Sequence, residues 1–434
     1  MDPIFAELPF ERCVLGRVSV PACLVEGAIE GATPDRDGLL LLDLELERGR
    51  LATIAPAGSL AAGLDLARRM VWPCPVDIHT HLDKGHIWPR AANPDGTFWS
   101  ALETVRADRE RHWTASDVRA RMAFGLRCAF AQGTCAIRTH LDSIPPQAEI
   151  SWPVFAELRA EWAGRVALQA VSLAMSEHYR GPEGRDLADL VAAHGGILGL
   201  VPLLDPALDA DLDRFFALAI ERGLEIDCHV DESLDPGART LDHLARAALR
   251  NGYRGRILVG HCCSLSTREP AEVAHTIDLL LEAGIGVVSL PMCNLYLQDR
   301  VAGRTPRRRG VTLLHELAAA GVPVMLASDN CRDPFYAYGD HDLVEVFREG
   351  VRIAHLDHPI DRWPGAVSRT PADWMGLAPA GRLAVGAPAD LVIFEGRSWS
   401  EVLSRPESGR TVLRAGRPID RRLPSYAELD FLFA

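Results

Sequence analysis

The chain has 434 residues, 48% of them hydrophobic and 24% charged, enough for one large domain plus a smaller one and ordinary for a globular fold. Its formal net charge of −13 argues against nucleic acid or an anionic membrane as partner, because both require a basic surface. No apolar run approaches the roughly 18 residues needed to span a bilayer.

The start, MDPIFAELPFER, is acidic and has no basic segment leading into an apolar one, so a signal peptide is not expected. The ten cysteines contain no CxxC pair. A chain of this size needs no disulfide staples, and reduced thiols in the cytoplasm are the simplest account. The run Arg307-Arg308-Arg309 reads as a solvated loop face. Lys84 is the only lysine.

From about Val71 onward, short β-branched or apolar runs alternate with longer amphipathic ones, the pattern of βα units. Eight strands are predicted in chain order, at 73–82, 135–143, 166–174, 197–205, 224–232, 256–264, 285–293 and 322–330. Helical segments lie between them. One runs from an N-cap at Ser116 to Gly133, another has Pro270 in its first turn and ends at Gly284, and a third spans Thr312 to Gly321. Such alternation fits an α/β fold, a (β/α)8 TIM-type barrel over residues 72–377, with its active site at the C-terminal strand ends. A doubly wound open sheet is the competitor, but no Gly-rich phosphate loop follows any strand.

The flanks read differently. Residues 12–56 and 381–417 hold short alternating strands broken by Gly and Pro. Neither could bury a core alone, so residues 1–71 plus 378–434 are expected to pair into one small β-sandwich domain built from both chain ends.

In a barrel, polar side chains at the strand ends converge on one mouth. Those ends carry His79 and His81, then His140, then His229 with Asp231 and Glu232, then His261 and Asp329. One such histidine is most often a hydrogen-bonded core residue; histidines at four strand ends plus a terminal Asp resist that explanation. Residues i and i+2 on a strand share a face, so His79 and His81 can bind one ion together. His229 and Asp329 could complete the set, which suits Zn2+ or Fe2+ and leaves room for a water. A bound divalent ion lowers that water's pKa toward about 7. Glu232 is positioned to carry protons, His261 to hold the attacking oxygen, and Asp329 to accept its proton.

These motifs resemble the cytosine deaminase branch of the amidohydrolase superfamily. The resemblance rests on His79-Thr80-His81, on His229-Val230-Asp231-Glu232, on His261 and Asp329, and on the segments THLD, RTHLD, CNLYLQDR followed by PRRRG, SDNCRDPF and GAPADLVIF. It covers nearly the whole chain, and SDNxRD is also similar to N-isopropylammelide amidohydrolase. What it implies is one divalent ion per subunit, Fe2+ or Zn2+, held by His79, His81, His229 and Asp329, with Glu232 shuttling protons and His261 contacting the hydroxide. It further implies a homo-oligomer acting on a small heterocycle. Relatives with two ions bridge them through a lysine on the fourth strand, and Lys84 follows the first. His140 is expected to support a ligand from behind, and Asp83 to pair with Lys84 at the mouth.

The expected substrate contacts depart from that branch. Met175 stands where the family has a glutamine, Asn330 where it has a second acid, and Phe335 where it has a tryptophan. Arg332 is an added charge, and Gln298 is either a substrate contact or a loop-stabilising amide. A site without its amide reader cannot be assumed to prefer the same base. The leading expectation is hydrolytic deamination of an amino-substituted N-heterocycle, cytosine-like by resemblance. The alternatives are cleavage of an N-alkylamino or cyclic amide bond on a triazine, pterin or related ring, and a metal-free binding protein. The small zinc deaminase fold is excluded, since it requires P-C-x-x-C.

Overall fold

The computed structural model describes residues 3–5, 8–61, 63–406 and 409–433, so part of the N-terminal stretch read for a signal peptide lies outside the described residues. The chain groups into two compact units. The smaller comprises Met1–Asp77, Arg127–Ala136 and Asp342–Pro424, and the larger Ile78–Leu126, Ile137–His341 and Ser425–Ala434.

In the smaller unit, Arg12–Pro21 pairs antiparallel with Leu39–Glu47, which pairs in turn with Arg50–Pro56, and Leu64–Asp65 adds the opposite edge. In a second sheet Leu391–Phe394 pairs antiparallel with Arg410–Arg414 on one side and with Val71–Pro73 on the other. Alternation puts Leu42, Leu44 and Leu46 of the first sheet into one apolar core with Leu391, Ile393 and Leu413 of the second, so each chain end buries what the other exposes.

The bounds differ from those read in the sequence. Helix Leu343–Ala354 groups with the smaller unit because Phe347 meets Trp72 edge-on at 5.3 Å, and Trp72 also meets Phe394 at 5.1 Å and Trp399 at 5.8 Å. Aromatic pairs of this kind add about 0.5–1.5 kcal/mol beyond their area. The last ten residues group with the larger unit, where Tyr426 stacks on Phe124 at 5.7 Å.

The barrel strands, labelled here in chain order, are β1 (Val76–Thr80), β2 (Ala136–Asp142), β3 (Ala167–Leu173), β4 (Leu198–Leu200), β5 (Ile226–Val230), β6 (Ile257–His261), β7 (Ile285–Ser289) and β8 (Val324–Leu326). Strands β4 to β8 form a parallel sheet in chain order, and β1 to β3 a three-stranded one. Parallel bridges link their edges, Thr80 with Asp329, Val171 with Ile197 and Met175 with Val201. The architecture is the expected α/β TIM-type barrel with a small β-sandwich.

Several strands stop short of their predicted ends. Strand β7 ends at Ser289 because Pro291, lacking an N–H, opens helix Pro291–Leu297. Helix Pro270–Ala283 begins at Pro270 with a capping box and ends at left-handed Gly284, as read. Helix Ala115–Gln132 starts one residue before Ser116; Thr114 Oγ1 accepts from Asp117 N at 3.3 Å and caps it instead. No helix among the described residues is long and apolar enough to cross a membrane.

Candidate active site

The period of two along β1 sends His79 and His81 to one side, and parallel neighbours bring the remaining imidazoles to them. His229 Nε2 lies 3.2 Å from His81 Nε2. Asp329 Oδ1 lies 3.3 Å from His81 Nε2 and 3.6 Å from His79 Nε2. One ligand atom from each of His79, His81 and His229 falls within 4.8 Å of the others, as do atoms of His79, His261 and Asp329.

The cluster is dry. His79 is fully buried, and neither of its ring nitrogens has a hydrogen-bond partner; the same holds for Nδ1 of His81 and of His229. Burial, and then the neighbouring cationic groups, hold His79, His81 and His229 well below the ordinary histidine range, so the rings are neutral with lone pairs to give. Orphaned buried polar atoms cost about 1–3 kcal/mol each. Neutral imidazoles converging with a carboxylate fit a divalent ion of the Zn2+ or Fe2+ kind.

Backbone detail makes the convergence possible. His261, Asp231 and Asp329 take left-handed backbone at φ 70°, 48° and 61°, turning consecutive side chains at a strand end in different directions. Gly260 lets the His79 ring lie against β6: a Cβ there would sit 2.9 Å from His79 Cε1.

Glu232 borders this group. Its Oε1 is 3.4 Å from His261 Nδ1, and burial followed by the Asp329 charge pushes its carboxyl well above the ordinary range. Asn294, on the helix after β7, has its amide nitrogen 2.9 Å from His261 Nδ1 and 3.5 Å from Glu232 Oε1. With that amide donating, the His261 proton belongs on Nε2, a buried atom with no protein partner. Burial holds His261 down at about 3. Gln298 Nε2 donates to Glu232 O at 3.1 Å, the loop-stabilising arrangement. Asn294 had no role assigned from the sequence; its one signal was the segment CNLYLQ.

The supporting residues arrange themselves differently from expectation. Lys84 Nζ pairs with Asp142 Oδ1 at 2.8 Å, not with Asp83, and Arg109 binds the other Asp142 oxygen at 2.9 Å. Asp83 Oδ2 instead accepts Asp142 N at 2.8 Å, and burial lifts its carboxyl to about 7. The His140 ring lies 4.0 Å from that of His79, and its Nε2 is 3.8 Å from Asp227 Oδ1. Asp227 is anchored by Arg138 Nη1 at 3.0 Å, a pair the sequence reading missed.

Of the expected substrate contacts, Asn330 Nδ2 donates to Asp333 Oδ2 at 2.7 Å, and the Arg332 guanidinium stacks on Tyr426 at 4.2 Å. Phe335 lies edge-on to Phe98 at 5.6 Å, with Lys84 Nζ also 5.6 Å from its ring. Met175 bridges Val201 beyond the end of β3 and is half-buried.

The amidohydrolase family model matches residues 161–420, more than half of the chain. The chain belongs to the amidohydrolase family. Among curated amidohydrolase relatives it is 54% identical over 423 residues to a pterin deaminase of Rhizobium rhizogenes, covering 96% of each chain. It is 25% identical to an N-isopropylammelide isopropyl amidohydrolase of Pseudomonas sp., over 83% of this chain and 89% of that one. Among solved structures, a 5-methylcytosine deaminase of Klebsiella pneumoniae liganded with 5-fluorocytosine matches with a TM-score of 0.81 and 25% identity, covering 95% of this chain and 98% of that one. These neighbours agree with the cytosine deaminase-like branch of the amidohydrolases.

Proposed function

We propose that the chain deaminates a pterin. The coarser activity, metal-dependent hydrolytic deamination of a heterocycle at a C–N bond, is supported by the family and its relatives. The choice of ring rests on one observation, the 54% identity to a pterin deaminase over 96% of both chains. A cytosine-like ring, the first expectation, is disfavoured by Met175 in place of an amide reader and by Asn330, whose amide is committed to Asp333.

In this reading His79, His81, His229 and Asp329 would hold one divalent ion, Zn2+ or Fe2+, whose chemistry would be to acidify a water toward neutral pH. Asp329 would take a proton from the attacking water as the water oxygen adds to the amino-bearing ring carbon. Glu232, neutral through burial, gives its proton to the adjacent ring nitrogen. His261 holds the incoming oxygen through Nε2–H, its tautomer set by Asn294. The proton held by Asp329 then passes to the amino group, the C–N bond breaks and ammonia leaves, and the ring carbonyl forms as the proton of the added oxygen returns to Glu232. Gln298 keeps the Glu232 backbone in place.

A second reading, hydrolysis of an N-alkylamino bond on a triazine, draws on the 25% identical relative. A metal-free binder would have no use for Glu232. The test supplies purified protein with Zn2+ or Fe2+ and offers it pterin, cytosine and an N-alkylamino triazine. Ammonia should appear from pterin at least about tenfold faster than from cytosine, a modest discrimination for a site matched to hydrogen-bonding groups. Alkylamine from the triazine alone selects the second reading, and product from none of the three overturns both. Assembly as a homo-oligomer and a reducing, cytoplasmic setting complete the proposal; light scattering tests the first.

A further inference from the structure

A second group of metal-type donors lies in the larger unit and plays no part in the chemistry above. His86, Cys331 and His341 each offer one donor atom, and the three atoms lie within 4.8 Å of one another. All three side chains are buried, at 2%, 1% and 2% exposure. Neither ring nitrogen of His86 has a hydrogen-bond partner, and neither has Nε2 of His341. Thr80 Oγ1 donates to Asp329 O at 2.7 Å, so toward His341 Nδ1, 3.5 Å away, it acts as acceptor. That places the His341 proton on Nδ1 and leaves the Nε2 lone pair bare. Burial also keeps both rings neutral, lowering His341 to about 4.

We propose that His86, Cys331 and His341 form a second, structural site for Zn2+ or a similarly soft divalent ion, separate from the His79 group. Two neutral imidazoles and a thiol are a soft donor set, and a water completes four-coordination. On binding, the ion displaces the Cys331 thiol proton to solvent, exchanging the present Sγ–H contact with Gly339 O at 3.2 Å for a thiolate–metal bond. Bond lengths of about 2.0–2.3 Å would set the donors roughly 3.4 Å apart, inside the present limit of 4.8 Å. Neighbouring cations do not forbid this. Arg121 is held by Asp117 at 2.9 and 2.6 Å, and Arg332 lies on the Tyr426 ring. The ion would staple the loop after β1 to the loop after β8, the one that presents Asp329. Both loops hold non-glycine residues in left-handed backbone, His86 at φ 65° and His341 at 54°, a conformation that persists only where the surroundings impose it.

The test strips the full-length protein of metal and refills it with Co2+. Two equivalents should bind, with a thiolate-to-cobalt charge-transfer band in the near ultraviolet. Cys331→Ser should lose that band and one equivalent, while His79→Asn should lose the other equivalent and keep the band. Should Cys331→Ser fail to fold, His341→Asn is expected to lose the same equivalent. One equivalent in the unaltered protein with the band present supports this site and counts instead against the His79 group. A protein with no such band overturns the proposal. So does a band that survives Cys331→Ser, which would belong to another thiol such as Cys293, 3.6 Å from Asn330 Oδ1.

Discussion

Asp231 and Glu232 are adjacent in the chain and end in two buried polar regions of opposite character. Asp231 accepts from Thr240 N at 2.9 Å and Thr240 Oγ1 at 2.6 Å, capping helix Thr240–Arg250, and from Arg268 Nη2 at 2.9 Å. Arg268 also binds Asp242 at 3.0 Å. There the protein supplies both halves of each charged contact. One residue later, Glu232 borders His79, His81, His229 and His261, whose ring nitrogens are left largely without protein partners. Both regions lie largely out of solvent, yet the second leaves ring nitrogens of His79, His81 and His229 without hydrogen-bond partners. A paired buried charge holds the fold together; a convergent unpaired set marks a place for a ligand.

The contrast can be tested by exchanging one atom at a time. The largest effect is expected from Glu232→Gln, which should lower the rate of ammonia release by about 10²–10⁴-fold with bound metal and thermal midpoint unchanged; a parallel loss of metal would move Glu232 into the ligand set. Asp231→Ala should do the reverse, because it removes one of the two carboxylates that hold the buried Arg268 charge and leaves the Thr240 donors without their acceptor. Urea titration should show a loss of about 3–5 kcal/mol, with metal affinity changed less than activity is in Glu232→Gln. Gly260→Ala should push against His79 and weaken metal binding by about 10–100-fold, as loss of ligand support does elsewhere, read by competition with a chelator.

The smallest effect concerns a surface loop. Asp299 is held down at about 2 by the Arg304 guanidinium, then by the backbone N–H groups of Arg307 and Arg308. A depressed carboxylate stabilises above its ordinary value of 3.8 and loses that contribution as pH falls toward about 2. Amide exchange in residues 299–309 should therefore quicken below about pH 4, and Asp299→Asn should abolish that pH dependence.

How much of this was legible in the chain differs by kind of feature. The βα alternation, the caps at Pro270 and Gly284, and the i, i+2 pair His79 and His81 are local regularities, written in periods of 3.6 and 2. Strand lengths were overread because an apolar run looks the same whether its backbone continues a ladder or turns, as at Pro291. Lys84 illustrates the harder case. Its neighbour Asp83 looked like its partner, but both lie in the turn after β1, and the carboxylate Lys84 meets is Asp142, 58 positions later. The Arg138–Asp227 pair and the Asn294–His261 contact were invisible for the same reason, since each joins residues from separate βα units.

The sequence by itself determined the elements, the barrel class and the residues able to ligate or carry protons, because period, capping and side-chain chemistry are properties of short stretches. Only the tertiary structure decided which of those residues meet, which are satisfied by neighbours and which are left with a bare lone pair. Hydrogen bonding and burial depend on what arrives from distant parts of the chain, and no local pattern encodes that.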